Sequence, residues 1–432
     1  MPVRPRLAAG AVLIAALSFT LPLSAQQCPD PNQLIADVPA ILAPVRVLAD
    51  DALAGRLAGS EGERCAGDYI AARFAEIGLE PAGVDGYFQD VPLASALNPH
   101  APGGTGRNVA AFLPGSDPAL RDEYVVIGAH YDHLGTGGRG SLAPGVDDIH
   151  NGADDNASGV AAMLDVARRL KAQPPKRSVL FLAFTGEESG LLGSAFWTGN
   201  PTRPLDNAIA MLNMDMVGRL GDGPLIVYGT GTAREWESVL DELGSAVGVE
   251  MSYQPEGYGP SDHTSFYTRD VPVLHFFTNT HEDYHKPSDD WDRIDVAGLE
   301  KVSTLVTQTA RRIADAPQRL ALVRGVGQPR QQATEGQARG SGAWLGTVPD
   351  YAAAERGVRI GGVTPGSPAE TAGMKGGDIL IGMAGREIAD LQAMFEVLSS
   401  QKPGDTIELV VLRDGTEVRL QATLGTRANR GS

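Results

Sequence analysis

The stretch from Tyr124 to Phe184 sets the fold: it opens with YVVIGAH (124–130), continues with VAAMLDVARRLKA (160–172) and ends with SVLFLAF (178–184). The first and last segments are short apolar runs of the kind found in strands buried on both faces of a sheet. The middle segment has apolar residues at helical spacing, with charged residues between them. A strand, a helix and a second strand in this order predict parallel strands joined by a crossover helix.

The same alternation continues along the chain. Strand-like runs follow at NAIAMLNMD (207–215), PLIVYG (224–229) and VPVLHFF (271–277), with a helical segment at 233–248. The pattern predicts an α/β fold, with a mostly parallel mixed sheet flanked by helices on both faces. In such folds ligands bind beyond the carboxyl ends of the strands. Upstream, residues 30–80 are predicted to be helical, with a helix over 65–77 and Gly78 as its C-cap.

Residues 1–25 have the features of a signal peptide. Arg4 and Arg6 precede the apolar run AAGAVLIAALSFTLPL (8–23), and small residues follow it. A membrane anchor is the alternative, although the run is short for a span. An exported protein, periplasmic or extracellular, is therefore expected. Cys28 and Cys65 are the two cysteines; in an exported protein they could form a disulfide or remain free thiols.

Composition and segment boundaries divide the rest of the chain. The net charge of −17 disfavours nucleic acid as a partner, and no stretch beyond the signal segment is apolar enough to span a membrane. Residues 26–323 are predicted to be the first domain. Residues 324–340 (RGVGQPRQQATEGQARG) are a polar linker without periodicity, and residues 427–432 are a tail.

Between the linker and the tail, residues 341–426 are predicted to form a smaller α+β domain. Strands are predicted near 357–363, 378–385 and 406–415, a helix at 390–400 and a hairpin turn at Asp414-Gly415.

Five metal-binding side chains lie at the ends of predicted strands: His130, Asp154, Glu188, Asp215 and His285. Each alone is a weak signal, because an isolated acidic pair or strand-end histidine usually has a local structural role. Imidazole and carboxylate are the ligands that zinc takes when no thiolate is available. The convergence of strand ends on one crevice therefore predicts a metal site.

That ligand set is sufficient for two zinc ions. Two metals about 3.5–4 Å apart need a bridging carboxylate, and Asp154, in a loop rich in Gly and Asn just before a helix, is the predicted bridge. His130 and Asp215 would complete one metal, and Glu188 and His285 the other.

Two further carboxylates are left for other tasks. Glu187 is predicted to accept and return a proton during attack by water. Asp132 stands two residues after His130, so in an extended segment it points the same way and could hydrogen-bond the other nitrogen of that ring.

Six motifs in order, HYDHLG, GADDNASG, TGEESGLLGS, NMDMVG, SDHTSF and YHKPSD, resemble the M28 family of zinc exopeptidases over about residues 35–315. The resemblance implies an α/β sheet of the phosphorylase/hydrolase type and two zinc ions. It also implies peptide substrates that lose residues from one end, most often the N-terminus. A secreted aminopeptidase is the leading hypothesis. A glutaminyl-cyclase-like transferase with a single zinc, or a non-catalytic binding protein, are the alternatives.

The resemblance also implies residue roles. It implies the same zinc ligands as the strand-end argument, and it makes Glu187 the general base. It also implies a cis peptide bond after the bridging aspartate, which here means Asp154–Asp155. Asp155 is then an outer residue of the site, and Tyr284 would stabilise the tetrahedral oxyanion. Other residues near the motifs are not assigned as ligands: Asp262 and His263 are expected to line the site, His133, His150, His275 and His281 to have surface or packing roles, Arg219 to meet a substrate carboxylate or form an ion pair, and residues 135–152 to form a rim.

The smaller domain resembles a PDZ domain of the bacterial, protease-associated kind. VTPGSPAETAGMKGGDILIGMAG (363–385) and WLGT (344–347) carry the resemblance. It implies that a peptide or protein C-terminus lies between the strand after Leu345 and the 390–400 helix. The carboxylate-binding loop would be formed by Trp344, Leu345, Gly346 and Thr347. A module that only docks on the catalytic domain is the alternative.

Overall fold

The computed structural model describes residues 1, 28–93, 103–138, 140–143, 145–326, 343–349, 357–363, 366–388 and 391–426. Nearly all of the predicted signal segment, most of the predicted linker and the tail lie outside these residues, so those boundaries stay predictions. Within the described ranges, no helix is both long enough and apolar enough to cross a membrane.

The larger unit alternates strands and helices, as predicted. Its described helices are α1 (Pro31–Leu34), α2 (Ala43–Leu48), α3 (Glu61–Ile77), α4 (Gly159–Ala172), α5 (Leu192–Gly199), α6 (Trp236–Val247), α7 (His263–Tyr267) and α8 (Val296–Ala314). Its described strands are β1 (Glu80–Pro81), β2 (Phe88–Pro92), β3 (Thr105–Leu113), β4 (Tyr124–His130), β5 (Ser178–Phe184), β6 (Ala208–Met214), β7 (Leu225–Tyr228), β8 (Met251–Gln254) and β9 (Val273–Phe277).

These strands form one sheet in the order β1-β3-β5-β4-β6-β9-β7-β8, with β2 paired to β3. The central strands β5, β4, β6 and β9 run parallel to one another. Strands β3 and β7 run antiparallel to their neighbours β5 and β9. The predicted mostly parallel mixed sheet is confirmed.

Helices cover both faces of the sheet. Successive side chains of a strand point to opposite faces, so Val125 and Ile127 of β4 belong to one core and Val126 to another. Helices α2, α3, α4, α6 and α8 contribute to the first core. Helices α5 and α7 contribute Trp197 and Phe266 to the second. Because both faces are buried, the central strands read as continuous apolar runs rather than alternating ones.

Helix α3 is longer than the predicted helix over 65–77. It begins at Glu61 because Ser60 is a good N-cap: its Oγ accepts the main-chain N–H of Glu63 at 3.1 Å. It ends at Gly78, whose φ of 82° is the left-handed conformation expected of a C-cap glycine. A disulfide joins Cys28 to Cys65 in this helix, so the structure selects the first of the two alternatives for the cysteines.

The smaller unit is an α+β fold. Its elements are β10 (Ala343–Trp344), β11 (Thr347–Pro349), β12 (Val358–Val363), α9 (Pro368–Thr371), β13 (Ile379–Met383), β14 (Arg386–Glu387), α10 (Leu391–Ser400), β15 (Thr406–Arg413), β16 (Thr416–Thr423) and β17 (Gly425–Thr426). The main sheet has the order β11-β12-β13-β15-β16. Asp414 and Gly415, with φ of 50° and 76°, form the predicted two-residue turn between β15 and β16.

Candidate active site

The carboxyl ends of the central parallel strands meet at a cavity of about 310 Å³. His130 is the last residue of β4, and Asp215 directly follows β6. Glu187 and Glu188 follow β5 through a turn at Gly186, whose φ is 65°. Four carboxylates and one imidazole lie together in the cavity wall: Asp155, Glu187, Glu188, Asp215 and His285.

Asp155 lies at the centre of this group. Its Oδ1 is 3.2 Å from His130 Nε2, and its Oδ2 is 3.0 Å from His285 Nε2. The two sides are completed by Asp215, whose Oδ1 is 3.3 Å from His130 Nε2, and by Glu188, whose Oε2 is 3.3 Å from His285 Nε2. Each oxygen of Asp155 therefore faces a different pair of metal-binding side chains.

Asp154, the predicted bridge, points away from this centre. Its Oδ1 accepts the main-chain N–H of Gly218 at 2.7 Å, and its Oδ2 is 3.1 Å from His281 Nε2. The geometry therefore favours Asp155, rather than the predicted Asp154, as the candidate for the bridging position. The aspartates are adjacent, and the motif alone does not say which one turns inward.

The main chain of the loop around Asp155 explains why Asp155, and not Asp154, turns toward the two histidines. Asp289 accepts the main-chain N–H groups of Asp154 at 2.9 Å and of Asp155 at 3.1 Å. Asp155 and Asn156 then leave helical geometry, with φ/ψ of −105°/94° and −132°/44°. The cis peptide is Asp155–Asn156 rather than the predicted Asp154–Asp155. It follows Asp155, the candidate for the bridging position.

Glu187 lies beside the central group without sharing its contacts. Its Oε2 is 4.0 Å from His130 Nε2. Asp132, predicted to hydrogen-bond His130, has its Oδ1 3.7 Å from His130 Nδ1, whereas its main-chain oxygen is closer at 3.2 Å. The Asp132 carboxylate instead accepts the main-chain N–H of Glu187 at 3.1 Å. Asp132 thus holds both neighbours, the ring through its carbonyl and Glu187 through its side chain.

The electrostatics of the site separate these carboxylates. Burial, together with the neighbouring Asp215 and Glu188, raises the pKa of Glu187 well above its usual value. Burial acts on Asp155 in the same direction, but hydrogen bonds from His130 and His285 outweigh it and hold the pKa of Asp155 well below its usual value. A carboxylate with a raised pKa next to ionised ones fits proton transfer, whereas the ionised ones fit metal binding.

The donor chemistry fits zinc. Ligand atoms of His130, Asp155 and Asp215 all lie within 4.8 Å of one another, and on the other side of Asp155 the Nε2 of His285 contacts both Asp155 and Glu188. Imidazole nitrogens and carboxylate oxygens around a shared carboxylate form the donor set of a two-metal hydrolytic centre. Buried carboxylates this close together also need positive charge to balance them.

Comparison with known families agrees with this chemistry. Residues 108–310 match the model of peptidase family M28, and residues 339–424 match that of the PDZ domain. Residues 108–310 of this chain are therefore an M28-type peptidase domain. It is 28% identical over 276 residues to leupeptin-inactivating enzyme 1 of Streptomyces exfoliatus, covering 63% of this chain and 55% of that enzyme. It is 29% identical over 195 residues to aminopeptidase YwaD of Bacillus subtilis, covering 43% of this chain and 40% of that enzyme.

Solved structures show the same fold. The aminopeptidase from Aneurinibacillus sp. strain AM-1 superposes with a TM-score of 0.52 at 19% identity, over 68% of this chain and 98% of that one. Glutaminyl cyclase from Porphyromonas gingivalis superposes with a TM-score of 0.51 at 20% identity, over 62% of this chain and 96% of that one. Both structural similarities are limited to the fold of the M28 domain.

Two histidines of the M28 domain with predicted surface or packing roles instead contact carboxylates in or beside the site. His133 is fully buried, and its Nδ1 is 2.7 Å from Glu188 Oε1. His281 contacts Asp154. Arg219 is paired with Asp283 at 3.0 Å, which is the ion-pair alternative. The order of histidines in HYDHLG gives no indication of the His133 contact, because it depends on the approach of a different strand end.

The rim loop holds one of the proposed ligands. In the predicted rim, residues 135–152, the carbonyl of Gly140 lies 2.9 Å from His285 Nδ1, and the N–H of Leu142 donates to the carbonyl of His285 at 2.9 Å. Because Nδ1 faces a carbonyl, it carries the hydrogen, and Nε2 is left to face the carboxylates. Tyr284 lines the cavity, and its ring stacks on that of His285 with centroids 3.9 Å apart. Its proposed oxyanion role stays a prediction.

Arg56 connects the segment upstream of the family match to the site. Its side chain is fully buried and donates to the carbonyls of Tyr131 at 2.8 Å, Asn151 at 2.6 Å and Gly152 at 2.9 Å, and also to Leu48. Burial lowers the pKa of Arg56 to about 10, so the group stays charged at neutral pH. One guanidinium therefore fixes the main chain beside His130 and the loop that leads to Asp155.

The PDZ domain contains the predicted loop at one end of its sheet. Leu345 and Gly346 lie between β10, which ends at Trp344, and β11, which begins at Thr347 and is the last strand of the sheet order in the described part of this domain. Leu345 is fully buried and its carbonyl accepts the N–H of Ala369 at 2.9 Å. Gly346 has φ of 82°, and a Cβ there would lie 2.3 Å from Ser367 Cβ. Glycine is thus required in this loop by both its backbone conformation and its packing.

Proposed function

We propose that this chain is a two-zinc aminopeptidase that hydrolyses the first peptide bond of its substrates. The observation that carries the proposal is Asp155, whose two carboxylate oxygens contact His130 and His285 on opposite sides. His130, Asp155 and Asp215 would hold one zinc ion, and His285, Asp155 and Glu188 the other. Zinc, when bound, polarises the scissile carbonyl and acidifies water.

Glu187 is the proposed general base. It lies in the same cavity without being needed as a ligand, and its raised pKa matches a group that takes a proton and gives it back. Asp132 fixes its main chain. Glu187 would accept a proton from the attacking water and deliver it to the leaving amine. The phenol of Tyr284, in the cavity wall beside His285, would donate to the oxyanion.

The charges around the cavity favour the N-terminus of a peptide over its C-terminus. The described cavity wall has no lysine or arginine to pair with an α-carboxylate, whereas Glu187, the carboxylate that is not assigned to zinc, can attract an α-ammonium group. Arg219, which could have met a substrate carboxylate, is occupied by Asp283 and lies 3.6 Å from Asp289. The names of two relatives, aminopeptidase YwaD and leupeptin-inactivating enzyme 1, are consistent with action on peptides.

The test compares free and blocked substrates. With zinc present, we expect leucine 4-nitroanilide to be hydrolysed with a kcat/KM at least about a hundredfold above that of its N-acetyl derivative, because acetylation removes a charge that faces buried carboxylates. Release of nitroaniline measures both, and addition of a chelator should abolish the signal. Equal hydrolysis of the two substrates would contradict the assignment to aminopeptidases.

The mass of the products distinguishes a glutaminyl-cyclase-like reaction from aminopeptidase activity. On a peptide that begins with glutamine, an aminopeptidase releases free glutamine and shortens the chain, whereas a cyclase leaves the chain length unchanged and releases ammonia. The likeness to the Porphyromonas enzyme concerns the fold, and a set of donors sufficient for two metals favours the peptidase.

We also propose export and a peptide-binding role for the PDZ domain. Arg4, Arg6 and the apolar run after them support a signal peptide, and the Cys28–Cys65 disulfide fits an oxidising compartment. In the PDZ domain, the edge position of β11 and the glycine-dependent loop before it support capture of a peptide C-terminus as an added strand.

The PDZ proposal predicts a dependence on the terminal carboxylate. Full-length protein should bind N-acetylated, fluorescent peptides with a free apolar C-terminus at least about tenfold more tightly than their C-terminal amides, as measured by anisotropy. Gly346→Ala should remove this preference, because the added methyl meets Ser367. Gly362→Ala is the matched control, since a methyl there meets open space. If Gly346→Ala still prefers the free C-terminus to the amide, this loop does not bind the terminal carboxylate.

A further inference from the structure

One part of the cavity wall is apolar and aromatic. Met216 and Phe277 belong to a small cluster with Ile226, and Tyr228 and Tyr284 pack against it. All of these except Ile226 line the cavity. A pocket of this composition beside the scissile bond accommodates the side chain of the first substrate residue.

His275 is the imidazole of that wall, and its orientation is fixed. It lines the cavity and is only 3% exposed. Its ring stacks on His263 with centroids 4.6 Å apart and an interplanar angle of 4°, and it also stacks on Phe277 at 5.9 Å. A ring held between two others presents its edge to the cavity in one orientation.

A chain of hydrogen bonds defines the tautomer of His275. Ser261 Oγ donates to Asp215 Oδ2 at 2.7 Å, so this hydroxyl can only accept from Asn213 Nδ2, which lies 2.8 Å away. The same Asn213 amide nitrogen lies 3.2 Å from His275 Nδ1. Because the amide nitrogen is a donor, His275 Nδ1 accepts and Nε2 carries the hydrogen. Burial lowers the pKa of His275 to about 4, which agrees with a neutral ring.

We propose that His275 selects the first residue of the substrate, through an Nε2–H that donates to an uncharged oxygen at the tip of a large side chain, as in tyrosine or glutamine. The inference rests on the proposed aminopeptidase function. The aromatic wall contacts the body of the side chain, and the Nε2–H of His275 donates to the oxygen at its tip. A neutral ring does not compensate a buried carboxylate, so N-terminal aspartate and glutamate are excluded.

The test is the ratio of kcat/KM for tyrosine and phenylalanine 4-nitroanilides, which differ by one hydroxyl. We expect wild-type protein to prefer tyrosine by about tenfold, the size of one well-placed hydrogen bond. His275→Phe should bring the ratio to about one, and His275→Gln, which keeps an N–H donor, should give an intermediate ratio. His263→Phe is the matched control: that ring stacks on His275, and neither of its nitrogens has a hydrogen-bond partner, so the wild-type ratio should be retained.

A binding measurement keeps the proposal independent of turnover. Calorimetry of zinc-loaded Glu187→Gln with tyrosine amide and phenylalanine amide should show the same preference, and the preference should be lost when His275→Phe is added. An unchanged ratio in His275→Phe, or no preference in wild-type protein by either readout, would overturn the role of His275. Selective binding of tyrosine amide without hydrolysis of any amino-acid anilide would instead overturn the aminopeptidase proposal and leave the role of His275 in place.

Discussion

Replacing Glu187 by glutamine is expected to lower kcat on leucine 4-nitroanilide by about a thousandfold, the scale of a lost general base. The amide has nearly the same volume and cannot take a proton from water. Because Glu187 is not one of the proposed ligands, both zinc ions should stay bound. Zinc content after gel filtration, measured by atomic absorption beside the kinetics, tests both halves of this expectation.

The adjacent residue provides the matched control. Glu188→Gln is the same chemical change one position along, but Glu188 contacts His285 and His133, and we expect it to lose zinc together with activity. A Glu187→Gln protein that hydrolyses at the wild-type rate would remove Glu187 from the mechanism. Loss of zinc from that variant would instead make Glu187 a ligand.

The second large effect is expected at Asp155. Asp155→Asn should weaken zinc binding by at least about a hundredfold, because a carboxamide has one acceptor oxygen and cannot face His130 and His285 with an acceptor on both sides. Asp154→Asn is the control one position earlier. Asn can still accept from Gly218, and a change outside the ligands should weaken zinc binding by about tenfold or less.

Competition with a chromophoric zinc chelator measures both affinities, and circular dichroism establishes that each variant is folded. If Asp154→Asn loses more zinc than Asp155→Asn, the sequence-based assignment of the bridge to Asp154 is right and the assignment from the geometry fails. Similar losses in both variants would mean that the loop as a whole, rather than the Asp155 carboxylate, determines zinc binding.

The fold of the larger unit could be predicted because its information is local. Strands buried on both faces have to be apolar at every position, so runs such as SVLFLAF identify themselves without knowledge of their neighbours. The helix that ends at Gly78 was predictable for the same reason, since a left-handed C-cap favours glycine. The antiparallel pairing of β7 with β9 was not predictable, because it depends on which strands become neighbours.

Within the site, the sequence identified most of the converging residues but not the contacts that orient them. His133 was assigned a surface or packing role, yet it contacts Glu188, which comes from the end of another strand. Arg56 carries no motif, and it is important only because two loops, at Tyr131 and at Asn151–Gly152, place their carbonyls around it. Such roles arise from groups that are distant in sequence and have no periodic pattern.

The residue pattern is enough to predict the apolar runs that form a parallel sheet, and the histidines and carboxylates at the strand ends that suit zinc. Which of two adjacent aspartates faces His130 and His285 depends on contacts in three dimensions. That choice depends on Asp289, which holds both main-chain N–H groups from a distant loop, and on the turn of the backbone at Asp155 and Asn156. The direction of a side chain in an irregular loop is set by long-range hydrogen bonds, which a linear motif does not record.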